Sequence, residues 1–178
     1  MEGAFENVPL AKVGEIAAGL EAEKKYAIVK FSNANAATFI NYQNGITLKE
    51  FHKDILKVQM GAQTEADAHE SLRAQLVGSM RHGKFLLIDV GAVTPNMLFN
   101  DSATWPAQHI WNWATWDVDA NNTAILKDGE DVDMNGNQGF SKMTNFCLGV
   151  LVANDAQAEK VAALLPNGGA DFKKLNVV

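Results

Sequence analysis

The chain has 178 residues, of which 47% are hydrophobic and 20% charged, a size and balance that suit one globular domain and exclude disordered, collagen-like and coiled-coil chains. The net charge of −6 is uneven: between Phe85 and Ser141 eight carboxylates stand against Lys127 alone, a surface that repels phosphate backbones and argues against nucleic acid or an anionic membrane as partner. No apolar run reaches the roughly 20 residues of a membrane-crossing helix, and the opening residues (Glu2, Gly3, Glu6, Pro9) are unlike a signal peptide, so a cytoplasmic chain is expected.

From Pro9, the spacing of Leu10, Val13, Ile16, Ala17 and Leu20 predicts an N-terminal helix within residues 1–25. Tyr26 to Phe31 and Ala37 to Tyr42 read as strands around the turn Ser32-Asn33-Ala34-Asn35. Thr47 with Glu50, and Thr64 with Asp67, have the spacing of reciprocal helix caps. Two helices should therefore begin there, one presenting Leu48, Phe51 and Ile55, the other Leu72, Leu76 and Met80 before stopping near Gly83. Phe85 to Val90 and Phe146 to Val152 are nearly unbroken apolar runs, the pattern of parallel strands covered on both faces. A helix over Ala156 to Leu165, with Val161, Leu164 and Leu165 inward, is stopped by Pro166-Asn167-Gly168-Gly169, and Phe172 to Val178 closes the chain as a strand. The order predicts one α/β domain over 1–178: a three-layer, mostly parallel sheet with helices on both faces, its core in 26–90 and 146–178. Residues 91–145 form an insertion rich in Trp, Asp and Asn.

Cys147 is the only cysteine and sits inside an apolar run, which predicts a buried, unreactive thiol. Gly78 to Phe85 approaches the phosphate-loop pattern G-x-x-x-x-G-K-[ST], with Phe85 where the magnesium-binding hydroxyl belongs. Its order is also reversed, because a phosphate loop follows a strand and opens a helix, while this one closes a helix and opens a strand. Gly83 is therefore read as a helix terminator. Phe85 to Asp89 has the shape of a strand that ends in a magnesium-holding acid, but a structural Asp89 capping a loop fits as well, and Val90 stands where a water-activating glutamate would be needed.

Asp117, Asp119 and Asn121, and then Asp131, Asp133 and Asn135, have the one-three-five spacing of a calcium loop, the second with Gly136 in sixth place. The twelfth positions are Asp128 and Lys142 in place of a bidentate glutamate, so turns on an acidic loop are the competing reading. Trp105, Trp111, Trp113 and Trp116 crowd one stretch and suit either the domain's own core or a protein contact surface. His52, His69, His82 and His109 lie far apart in sequence. No histidine pair, nucleophile elbow or Cys/His pair has the spacing of hydrolytic or zinc chemistry.

Ser71 to Pro95, Asn145 to Asn154 and Ala156 to Val178, with Asn35 to Tyr42, resemble the later part of an AAA-type module. The resemblance is to the phosphate-loop-poor modules of dynein heavy chains and to the AAA-like C-terminal region of IQ-motif and ankyrin-repeat proteins. It implies a P-loop-NTPase-like fold in which Phe85 to Asp89 matches the Walker-B strand and Asn154 the sensor asparagine. The phosphate-loop strand and its helix then have no counterpart, and no arginine follows in Ala156 to Val178. The implied function is a non-catalytic scaffold or protein-interaction module without a cofactor, in a large cytoplasmic, cytoskeletal, ciliary or flagellar assembly with other protein chains. Trp105, Trp111, Trp113 and Trp116 would form its contact surface, and Asp89 and Asn154 would be remnants of a nucleotide site. Two alternatives stand beside it: a calcium-regulated module using Asp131, Asp133 and Asn135, and a nucleotide-binding half-site completed by a partner.

Overall fold

A computed structural model describes residues 4–130, 134–137 and 139–178. In chain order it contains β1 (Glu6–Val8), a 3-10 turn (Leu10–Glu15) running into α1 (Ile16–Glu23), β2 (Tyr26–Phe31), α2 (Ala36–Asn41) and β3 (Ile46–Lys49). Next come α3 (Phe51–Gln59), α4 (Glu65–Arg81), β4 (Phe85–Gly91) and the short helices α5 (Asn96–Phe99), α6 (Ala107–Ile110), α7 (Trp113–Trp116) and α8 (Asp119–Thr123). β5 (Cys147–Val152), α9 (Asp155–Leu164), a 3-10 turn (Pro166–Gly169) and β6 (Phe172–Val177) complete it.

The two apolar runs lie side by side at the middle of a six-stranded sheet in the order β1-β6-β2-β5-β4-β3. Every pairing between neighbours is parallel. All six residues of β5 are buried, as a strand covered on both faces requires. Gly149 sits at its centre because a Cβ there would come within 2.9 Å of the Phe85 ring on β4. The connections β1 to β2 and β2 to β3 run one way across the sheet, and those from β3, β4 and β5 run back. Right-handed crossovers, which parallel connections take almost without exception, then put α1 and α2 on one face and α3, α4, the residues expected as an insertion (α5 to α8) and α9 on the other.

The expected helices over Thr64–Gly83 and Ala156–Leu165 are present as α4 and α9. Thr64 accepts the Asp67 N–H at 3.1 Å while Asp67 accepts the Thr64 N–H at 3.2 Å, closing the capping box. Leu164, expected inward, is 39% exposed. Two expected elements also fail. Ala37 to Tyr42 is not a strand but lies largely in α2, where Ala36 and Ile40, four apart, supply the buried face. Thr47 does not cap a helix: it lies within β3, whose four residues extend the parallel ladder beside β4, and α3 starts only at Phe51. Among the described residues no helix is long and apolar enough to cross a membrane.

Candidate functional site

Ligands of open parallel sheets gather outside the carboxyl ends of the strands, where neighbouring strands send their connections to opposite faces. β2 and β5 are such neighbours, since β2 leads to β3 and β5 leads back over β2 to β6. A strand-to-helix turn, Ser32 to Asn35, stands there between β2 and α2, although the sequence resemblance left no counterpart for one. It holds no glycine and no lysine. The Ser32 and Asn33 N–H groups both donate to Val177 O, at 2.9 and 3.2 Å, and the Ala36 N–H donates to Asn33 O at 3.1 Å. Asn35 donates its N–H to the Asn33 side chain at 2.9 Å, and Ser32 Oγ bonds Asn176 Oδ1 at 2.7 Å. The nearby Lys30 ammonium is held by Asp155 at 2.6 Å and lies 4.3 Å from the centroid of the Phe5 ring.

Asp89 and Asn154 reach this same edge on adjacent strands. Asp89 Oδ1 accepts the Gly91 N–H at 2.8 Å, a tight turn that places Gly91 at φ +54°. Its Oδ2 faces His52 Nδ1 at 3.3 Å, close enough for Coulomb attraction but off the line of a hydrogen bond. Burial raises the Asp89 pKa, opposed by the Gly91 N–H and by His52. His52, at the start of α3, was invisible as a neighbour of Asp89 because only the β3–β4 pairing brings the two together. Asn154 Oδ1 accepts the Gln157 N–H at 2.9 Å, which makes Asn154 the N-cap of α9.

The phosphate-loop lookalike ends α4, as its order implied. Gly83 takes φ +59° directly after the helix, a Cβ there would collide with the Thr144 carbonyl, and the Lys84 N–H returns to Ser79 O at 2.9 Å. Cys147 is fully buried, and burial raises its pKa far above the ordinary thiol value.

Asp131 and Asp133, the calcium candidates, lie outside the described residues, and Asn135 is exposed. Among the described residues no three His, Cys, Asp or Glu side chains converge on one point. Of the earlier acidic loop, Asp117 pairs with Lys142 at 2.8 Å, Asp119 opens α8, and Asn121 donates its side chain to Thr115 O at 2.7 Å.

Three of the four tryptophans are in the chain's own core. Trp105, Trp111 and Trp116 are at most 2% exposed, and the indole N–H groups of Trp105 and Trp111 both donate to Leu98 O, at 2.8 and 3.3 Å. Trp113 alone is half-buried, stacked obliquely on Tyr26 with ring centroids 5.2 Å apart. His69 is likewise a satisfied core residue, its nitrogens 2.9 Å from Met97 O and from Ser102 Oγ. With this geometry in view, comparison with known proteins finds no family model, curated protein or solved structure that matches the chain.

Proposed function

We propose that the chain is a non-catalytic, AAA-like scaffold or protein-interaction module whose insertion carries the contact surface. One observation supports this reading above the rest. The turn after β2, at the switch point where a triphosphate would be gripped, has its Ser32, Asn33, Asn35 and Ala36 N–H groups bonded within the chain. An anion cradle needs such groups free and pointing at the ligand. Asp89 has one oxygen taken by the Gly91 N–H and the other facing His52 Nδ1 at 3.3 Å without a hydrogen bond.

The insertion offers exposed apolar side chains, Val118, Met134 and Met143, on a segment rich in exposed acids such as Asp119 and Asp128. A protein partner with basic groups around an apolar patch suits that chemistry. A cytoskeletal or ciliary setting rests on the sequence resemblance alone. Calorimetric titration of the chain with magnesium ATP is expected to give no saturable heat. Binding tighter than about 1 mM that Asp89→Asn abolishes would overturn the proposal.

A further inference from the structure

The opposite, amino-terminal edge of the sheet holds a cleft of about 580 Å³ between the starts of β2 and β6 and the α7 segment of the insertion. Its volume falls within the roughly 300–1,000 Å³ of small-molecule sites. Tyr26, Trp111, Trp113 and Phe172 line it; Trp113, half-buried, presents the most ring surface, and the buried Tyr26, Trp111 and Phe172 back it. The ring centroids lie 5.2 Å apart for Tyr26 and Trp113, 5.8 Å for Tyr26 and Phe172, and 6.3 Å for Trp111 and Phe172.

The charges around this cleft do not cancel. Glu23 is paired with Lys173 at 2.5 Å, and Asp117 with Lys142 at 2.8 Å. Among the described residues Asp171 has a neutral side-chain partner, the Asn167 amide at 3.1 Å, and no cation within ion-pair distance. Lys24 and Lys25 also line the cleft, and among the described residues neither ammonium has a carboxylate within ion-pair distance. Their backbone N–H groups close α1 on Glu21 O and Leu20 O, at 3.0 and 2.9 Å, so the main chain that carries them is fixed. Two unmatched cations therefore stand against one unmatched acid beside these rings.

The geometry points to a binding site for a ligand in which an aromatic ring is joined to a carboxylate, the ring against Trp113 and the edges that Tyr26 and Phe172 show to the cleft, and the anion toward Lys24 and Lys25. Aromatic contact supplies the larger contribution, and the lysines decide between the acid and its neutral analogue. A free aromatic acid and the C-terminal aromatic residue of a peptide share this chemistry.

Three probes separate the cases by calorimetry and by the intrinsic tryptophan fluorescence, which a phenyl ring leaves unobscured: 3-phenylpropionate, N-acetylphenylalanine and N-acetylphenylalanine amide. At least one of the two acids is expected to bind saturably, with the amide at least about tenfold weaker, a difference of about 1.4 kcal/mol. Binding by both acids identifies the shared aromatic carboxylate, and binding by N-acetylphenylalanine alone identifies a peptide terminus. The double variant Lys24→Ala/Lys25→Ala should bring the acids down to the amide's affinity, and Trp113→Ala should weaken all three. Failure of both acids to bind, equal binding of the amide, or indifference to the lysine variant overturns the proposal. None of these outcomes touches the ATP titration, which concerns the other edge of the sheet.

Discussion

The sheet and the insertion are held in place by different physics. β4 and β5 are joined by a parallel ladder and buried on both faces, so their position follows from apolar burial and backbone hydrogen bonds. The insertion has no ladder among its described residues; it is anchored by its own buried apolar side chains, Leu98, Trp105, Ile110, Trp111 and Trp116 among them, and a few buried polar side chains, two of them on α4, fix where its backbone lies. Arg73, 2% exposed, bonds Glu130 at 2.5 and 2.6 Å, Glu70 at 2.8 and 2.9 Å, and Ile125 O at 3.1 Å. One turn earlier on the same helix, His69 holds Met97 O. Loss of one polar side chain should therefore leave the sheet's ladder in place, whereas in the insertion it removes bonds that no backbone ladder replaces.

The strongest way to break this contrast is to strand the guanidinium. Glu70→Ala/Glu130→Ala leaves Arg73 buried without its carboxylates, which should cost about 3–5 kcal/mol. Hydrogen exchange should show α6 to α8 losing protection while β4 and β5 keep theirs. Arg73→Met should cost less, because Glu70 and Glu130 are 37% and 32% exposed and can rehydrate once the guanidinium is gone. Uniform loss of protection across the chain would show that sheet and insertion unfold as one.

Acid should separate the two regions by a smaller amount and in a defined direction. The hydrogen bonds from Arg73, aided by Lys127, lower the Glu70 pKa from 4.5 to about 2, and Arg73 lowers that of Glu130 as well. A carboxylate with a depressed pKa contributes stability above its unfolded value and loses it as pH falls through the folded value. The insertion should therefore loosen between pH 4.5 and about 2. Asp89 has the opposite sign. Burial raises its pKa, so its ionised form opposes folding and protonation relieves the carboxyl edge of the sheet. Exchange measured across this range should find protection falling in α6 to α8 before β4. The reverse order would end the argument.

The same division governs what could be read from the sequence. β2, β4 and β5 were legible because each is a largely apolar or β-branched run of six or seven residues, β6 because Phe172, Leu175 and Val177 follow the Pro-Asn-Gly-Gly stop, and α4 because Leu72, Leu76 and Met80 repeat over a long helix behind a capping box. β1 and β3 have three and four residues, too few to show a period, and Leu48 was absorbed into the helical spacing of Phe51 and Ile55. The insertion's helices have four or five residues each and no repeat, so only its composition could be read. That left open whether its tryptophans face inward, which Leu98 O decides by accepting two indole N–H groups. At the carboxyl edge Asp89 and Asn154 were identifiable as strand ends. His52 and the Val177 carbonyl were not, because pairing across the sheet, and not proximity in the chain, brings them there.

The smallest expected effect tests where sheet and insertion meet. Asn154 caps α9 through Gln157, and the Gln157 side chain, 3% exposed, donates in turn to Val93 O at 2.5 Å, at the root of the insertion. Asn154→Ala should cost about 1 kcal/mol by loss of the cap. Asn154→Asp retains an acceptor and adds a negative charge at a helix N-terminus, so it should match or slightly exceed the native stability. Because Gln157 joins the cap to Val93, the alanine variant should also speed exchange just beyond β4, around residues 93–99, without reaching α8. A melting temperature unchanged in Asn154→Ala would mean that the cap contributes nothing, and that another role must account for this side chain at the end of β5.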